Sequence, residues 1–308
     1  KEIDDYENVD SLSGIKSLPD TLNIEKIYDL PEGEIISATK LSIFYQCPLK
    51  YQLTYEYGFT KLMEEFKNWN YELKSKKYEF NPNEENYLNE EPEKLFHSFG
   101  NIKGRIIHKI LQREIDKSDL KKTVYDLTKE EIQVLIEKDF PFEDFTNDIV
   151  SDLIKFYDSA AYSDISKLKN YKSELEVYSK EEDYFLFGII DRIAFDGNKA
   201  IIIDFKTDDI EKDNIPARFD SYLTQLKFYS YIVSRLYKDI DKFELKIIFI
   251  KYPDEQASLI INKSELKATE TLIRKMVSET RAGVYEKNLN HCPKCIFSVN
   301  HPNICIVN

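Results

Sequence analysis

Two apolar runs constrain this chain more than any other feature: Gly188-Ile189-Ile190-Asp191-Arg192, and Ile202-Ile203-Asp204-Phe205-Lys206. Both read as buried strands, and each delivers an acidic residue near its end. Residues two apart on a strand share a face, so Asp204 and Lys206 point one way while Phe205 enters the opposite layer. Asp196-Gly197-Asn198 reads as the hairpin turn between the runs. Two carboxylates and an ammonium group on one sheet face offer oxygen ligands to a hard cation and positive charge to a developing anion. That set suits metal-assisted phosphodiester hydrolysis.

The rest of the pattern surrounds these strands with helices. Ser37-Ala38-Thr39-Lys40 is an N-cap-like opening for a helix through Tyr45, with Pro48 breaking it or starting a second helix through Leu53. Residues 100–114 read as a helix whose apolar face is Ile106, Ile107, Ile110 and Leu111, with His108 beside it. Helical periodicity continues over 128–138 and 145–168. Strands follow at 174–178, 184–195 and 200–205, then a helix at 221–237, strands at 244–252 and 257–261, and a helix at 264–281. This order predicts an α/β (α+β) architecture, a mixed sheet flanked by helices.

With 308 residues, 42% of them apolar, the chain can bury a large core. The formal net charge of −13 counts against tight, non-specific binding of a polyanion. The excess is uneven, however. Residues 1–34 hold three Lys against ten Asp or Glu, and Asn83 to Glu93 is a second acidic stretch. We therefore expect an acidic linker or strap over 1–36 and one domain over 37–308. Within that domain the core spans about 100–281, the helical and insertion region 37–99, and a cysteine tail 282–308. No apolar run reaches the roughly 18 residues of a membrane span, so a soluble cytoplasmic protein without membrane contact is expected. The first residue is Lys1 and the only methionines are Met63 and Met276, which suggests a native beginning further upstream.

His108 in a helix, Asp191 on one strand, Asp204-Phe205-Lys206 on the next, and Gln225-Leu226-Lys227-Phe228-Tyr229 on the following helix form an ordered set. It resembles the RecB-like branch of the PD-(D/E)XK nucleases. Gly104-Arg105-Ile106-Ile107-His108 is similar to that branch's glycine-to-histidine helix. Leu41 through Tyr51 is similar to the segment opening the nuclease module of AddB-type and helicase-linked members. The resemblance implies a restriction-endonuclease-like fold and a DNA nuclease, acting on single-stranded ends within a helicase-nuclease for repair or recombination. It further implies Mg²⁺ or Mn²⁺ held by His108, Asp191, Asp204 and the Phe205 backbone carbonyl, with Lys206 at the nucleophilic water or scissile phosphate. Glu174 is a second candidate for the same face. Gln225 and Tyr229, four apart on one helical face, would position the nucleic acid.

The four cysteines are Cys47, the pair Cys292 and Cys295, and Cys305. In an intracellular chain such spacing points to a metal site before disulfides. The resemblance implies a 4Fe-4S cluster clasping both ends of the domain across roughly 245 residues. The interval from Cys295 to Cys305 is longer than the family's, and His291 and His301 flank the tail. A zinc site of four Cys, or of three Cys and one His, is the alternative.

Blander readings exist for each residue alone. His108 could be a satisfied core histidine, Asp191 and Arg192 a surface ion pair, Asp204 and Lys206 a salt bridge, and Gln225 a solvated neighbour of a packed Tyr229. Other whole-chain readings are a free-standing CRISPR-associated-type exonuclease, a catalytically inactive DNA-binding or assembly scaffold, and a zinc-stapled protein-interaction domain.

Overall fold

The computed structural model describes residues 34–58, 99–132, 140–208, 210–255, 257–299 and 305. The acidic leader up to residue 33, the 62–98 insertion and His301 lie outside the described residues. Strand β1 (Glu34–Ser37) leads into α1 (Ala38–Gln46) and the short α2 (Pro48–Tyr51). The Ser37 hydroxyl accepts from the Lys40 amide, so the serine caps α1 as its sequence signals. Helices α3 (Phe99–Gln112), α4 (Leu120–Ile132), α5 (Phe142–Tyr157) and α6 (Ala160–Ser166) follow. Then come β2 (Tyr171–Lys180), β3 (Tyr184–Asp196), β4 (Lys199–Lys206), the long α7 (Ile215–Leu236), β5 (Lys242–Phe249), β6 (Ala257–Asn262) and α8 (Lys267–Ala282). Gly197 takes a φ of 58° in the tight turn between β3 and β4, a backbone that glycine adopts without a Cβ penalty.

Six strands form one mixed sheet. β3 pairs antiparallel with β2 and β4, β4 parallel with β5, β5 antiparallel with β6, and β1 parallel with β3. Alternation along β4 divides the interior into two cores. Ala200 and Ile202 join α1, α7 and α8 on one face. Ile201, Ile203 and Phe205 join α3, α4 and α5 on the other, where the Phe205 and Phe156 rings meet edge to face at 5.8 Å. The result is a three-layer helix–sheet–helix sandwich, as the strand and helix order predicts.

Three expectations change. Residues 34–36 belong to a strand, although the reading of 1–36 as linker covers them. Four residues are too few for a period, and their partners Tyr184 to Phe187 lie far along the chain. The core is likewise not confined to 100–281, since Ile36, Leu41, Phe44 and Tyr51 pack in the same cluster as α7. Helix α4 begins at Leu120, earlier than its apolar period shows, and α5 and α6 replace one helix over 145–168. Ser159, whose hydroxyl accepts from the Tyr162 amide, caps α6 and separates the two. Among the described residues no helix is long and apolar enough to cross a membrane.

Candidate active site

Strand β3 pairs with β2 along one edge from Phe185 to Ala194, with no pair at Asp191. On its other edge it pairs with β1 at Tyr184 to Phe187 and with β4 at Arg192 to Asp196. Between those two partners lies an unpaired stretch, Gly188 to Asp191, where β3 and β4 separate after the Arg192–Ile203 pair. Asp191 and Asp204 are the first residues beyond that pair, one on each prong of the fork. The Phe205 amide donates to Asp191 Oδ2 at 2.7 Å and holds the prongs in register.

The strand alternation also slips here. Leu186 and Ile190 of β3 face the α7 layer, yet so does Ile193, while Ala194 faces the α3 layer. Strand β2 changes face at the matching point: Leu175 and Val177 pack toward α7, whereas Tyr171 and Ser173 meet Arg192, which bonds the Leu111 carbonyl of α3. The slip falls on Glu174, which stands opposite Asp191 between the Ser173–Arg192 and Leu175–Ile190 pairs and has a φ of 48°. A non-glycine residue in the left-handed region costs on the order of 1 kcal/mol or more. The slip places two acids face to face and lets helices from both layers reach them.

From α3, His108 Nδ1 lies 3.5 Å from Glu174 Oε1 and 3.6 Å from Asp191 Oδ1. One ligand atom each from His108, Glu174 and Asp191 fall within 4.8 Å of one another. Gly104, one turn earlier, allows α3 to approach the end of β4, since a Cβ there would lie 3.3 Å from Thr207 Oγ1. On the α7 side, Asp204 is 2% exposed and its Oδ2 lies 2.6 Å from Lys206 Nζ. The Gln225 amide group donates to Asp204 Oδ1 at 3.0 Å and to the Tyr229 hydroxyl at 2.8 Å, and its Oε1 accepts from Lys206 at 3.4 Å. Lys206 Nζ also sits 4.5 Å from the Tyr222 ring centroid.

His108 and Asp191 therefore come together with Glu174, which sequence ranks second. Asp204 stands beside this trio, held by Lys206 and Gln225. What the structure shows of Phe205 at the fork is its amide, while its side chain is core. Arg192 pairs with Glu114 at 3.3 Å and is buried, so it is no surface partner of Asp191. Sequence reading passes over Tyr222, Arg218 and Asp208. The signal for the first two is the spacing 218, 222, 225, 229, one stripe of α7.

The charges are strongly coupled. Burial raises the Asp191 pKa above the usual carboxylate range, and the Asp204 charge adds to this against opposition from His108 and Lys206. Burial alone would lower Lys206, but the Asp204 and Asp191 charges raise it, so it stays an ammonium. Burial likewise works to lower His108, and the hydrogen bond to Glu174 and the charges of Asp191 and Asp204 overcome it. The donor set fits a divalent cation: an imidazole and opposed carboxylates converge, and the buried Asp204 carboxylate stands beside them with Lys206 as its counter-charge. Two facing acids beside a strained residue are a destabilising arrangement that a cation would relieve.

Gly188 is required by this packing. A Cβ there would meet Tyr229 Cε1 at 2.7 Å and Cδ1 at 2.9 Å, and Tyr229 is buried. Gly188→Ala should displace the ring and with it the Gln225 amide that orients Asp204. Thermal melting of that variant should fall by several degrees, at roughly 1–3 kcal/mol for an overpacked site. An unchanged melt would show that the ring moves freely.

Separately, all four cysteines line one small cavity together with Lys50, Lys287 and His291. The Asn288 amide donates to Cys47 Sγ at 3.4 Å, and the Asn288 side chain donates to the Gln46 carbonyl at 2.8 Å. Cys295 and Phe297 pack on Leu53, joining the tail to the π-helical turn (Gln52–Glu56) after α2. Burial raises the Cys305 thiol pKa, and the other three cysteines raise it further.

A family profile described as the PD-(D/E)XK nuclease superfamily matches residues 35–299. Among solved structures, a putative exonuclease from Eubacterium rectale is similar at 11% identity and a TM-score of 0.45, over 89% of this chain and 90% of that one. An alkaline exonuclease from Laribacter hongkongensis is similar at 10% identity and a TM-score of 0.30, over 57% of this chain and 87% of that one. No curated protein matches the sequence.

Proposed function

Because this chain belongs to the PD-(D/E)XK nuclease superfamily, we propose that it is a divalent-metal-dependent deoxyribonuclease acting on single-stranded DNA ends. The observation that carries the reading is the fork of β3 and β4. There His108, Glu174 and Asp191 converge beside the Asp204–Lys206 pair, and the Phe205 amide between those two residues bonds Asp191. His108, Asp191 and Asp204, with Glu174 and the Phe205 carbonyl, would hold Mg²⁺ or Mn²⁺. Such an ion, when bound, supplies Lewis acidity and an activated water.

The chain's own groups do the remainder. Lys206 keeps its proton, because two acids face it, and presents positive charge where the phosphorane oxygens gain negative charge. Gln225 fixes both Asp204 and Lys206 through its two ends, so neither rotates when a phosphate arrives. Tyr229, pushed up in pKa by burial, stays a neutral phenol and receives the second Gln225 hydrogen bond. The similarity of the 41–51 segment to helicase-linked nucleases supports a place in a helicase-nuclease for repair or recombination, with the partner delivering the strand.

The cysteine cavity is proposed to hold a 4Fe-4S cluster. Four cysteine thiols lining one cavity supply the ligand type that such a cluster takes, and zinc is the alternative.

The test is cleavage of end-labelled single-stranded DNA by purified protein with Mg²⁺, with Mn²⁺ and with EDTA, beside Asp204→Ala, and with iron and sulfide measured on the same sample. Metal-dependent product from wild type alone, with about four irons and four sulfides per chain, is expected. Equal cleavage by both proteins rejects the site, and zinc without iron rejects the cluster.

A further inference from the structure

The stripe of α7 that carries Gln225 and Tyr229 continues toward the helix start as Tyr222 and Arg218, at spacings of four, three and four. Neither residue belongs to the carboxylate and lysine set. Arg218 Nε donates to Asp208 Oδ2 at 2.7 Å, and the Tyr222 hydroxyl donates to the same oxygen at 2.5 Å. Arg218 Cζ lies 5.2 Å from the Tyr222 ring centroid, and Lys206 Nζ lies 4.5 Å from that same centroid. One aromatic ring therefore has the proposed reaction-centre cation and a second cation close to it, which puts the two within reach of neighbouring phosphates of one strand.

An exposed arginine–aspartate pair contributes little to stability, about 0–1 kcal/mol. Its geometry here does something else. Asp208 takes the Nε edge of the guanidinium and the Tyr222 ring lies 5.2 Å from its Cζ, so the group is held from two sides while its side chain remains 45% exposed. A planar fork fixed at its base is prepared for a phosphate, and little rotamer entropy remains to be lost on binding. Local cations matter more in this chain than in a basic nuclease, because its −13 charge and the acids of the fork repel a polyanion.

We propose that Arg218, oriented by Asp208 and Tyr222, binds the phosphodiester next to the scissile one and so sets the register of the strand across Lys206. This rests on the nuclease reading above. Arg218 touches a phosphate that does not react; Asp208 and Tyr222 are positioning residues acting through it.

The test is binding of a labelled single-stranded oligodeoxynucleotide, with Ca²⁺ present, across a series of NaCl concentrations, for wild type, Arg218→Ala and Arg218→Lys. Loss of one phosphate contact should reduce the slope of log affinity against log salt by about 0.7. Arg218→Ala is expected to show that reduction and about a tenfold loss of affinity at low salt, with KM raised and kcat for cleavage little changed. Arg218→Lys should restore the slope and only part of the affinity, because a lysine keeps the charge without the fork. Arg218→Gln gives the same reading should alanine perturb the helix. If wild type binds and cleaves while every variant keeps its slope and KM, the subsite is overturned and the nuclease reading stands. If wild type neither binds nor cleaves the strand, the nuclease reading falls and takes the subsite with it.

Discussion

Lys206→Ala should lower the kcat for DNA cleavage by about 10²–10³-fold, the usual effect of removing one group that stabilises developing negative charge. Substrate binding should weaken less, because the ammonium is only 17% exposed and is already engaged by Asp204 in the resting protein. The same change strips a 2%-exposed carboxylate of its counter-charge, leaving it only the Gln225 amide. Breaking a buried pair from one side costs about 3–5 kcal/mol, so melting should fall by several degrees as well. A second variant separates the two effects. Lys206→Met combined with Asp204→Asn removes both charges, and its melting temperature should return toward wild type while cleavage stays lost. Cleavage within tenfold of wild type by Lys206→Ala, measured on folded protein, would remove this lysine from the chemistry.

Asp191→Asn should move stability and activity in opposite directions. Asp191 stands opposite Glu174 between the Ser173–Arg192 and Leu175–Ile190 pairs, its side chain only 12% exposed, and burial with the Asp204 charge raises its pKa. A carboxylic acid with a raised folded-state pKa favours the fold while protonated. Its contribution is full below the ordinary value of about 4 and is lost as pH rises through the raised one. In metal-free protein at neutral pH, asparagine removes that penalty, and its carbonyl can still accept from the Phe205 amide. We expect a gain of roughly 1 kcal/mol, or about 2–4 °C in melting temperature, that disappears in mildly acid buffer. Cleavage should fall on the order of 10³-fold, since a metal contributes several kcal/mol of charge stabilisation. Adding Mn²⁺ should raise the melting temperature of wild type by linkage and leave Asp191→Asn nearly unmoved. A variant that is less stable than wild type without metal would contradict the repulsion argument.

Much of the layout was legible along the chain because it rests on short-range periodicity. The alternation in 199–206 places Phe205 in one layer with Asp204 and Lys206 on the other face, and the structure has that arrangement. The hairpin at Gly197, the serine cap at Ser37 and the four-residue step from Gln225 to Tyr229 are likewise local. Alternation failed at one position of consequence. Reading β3 with a strict period of two puts Asp191 on the same face as exposed Ile189, and only the slip shared by Glu174 and Asp191 turns it toward His108.

That slip has no signature in sequence, because it depends on a left-handed backbone at a glutamate and on the strand lying opposite. Strand β1 went unseen for the same reason, its partners being about 150 residues away. The amino-acid order by itself determined the faces of β4, the capped start of α1 and the ordered set of acids, lysine and cysteines, since each needs only neighbours within a turn or a strand. Tertiary structure alone decided that β3 and β4 part at their acids, that Glu174 joins His108 and Asp191, and that Tyr222 lies close to both Lys206 and Arg218. Those are distances between segments remote in sequence, set by how two cores pack against one sheet, and no local period encodes them.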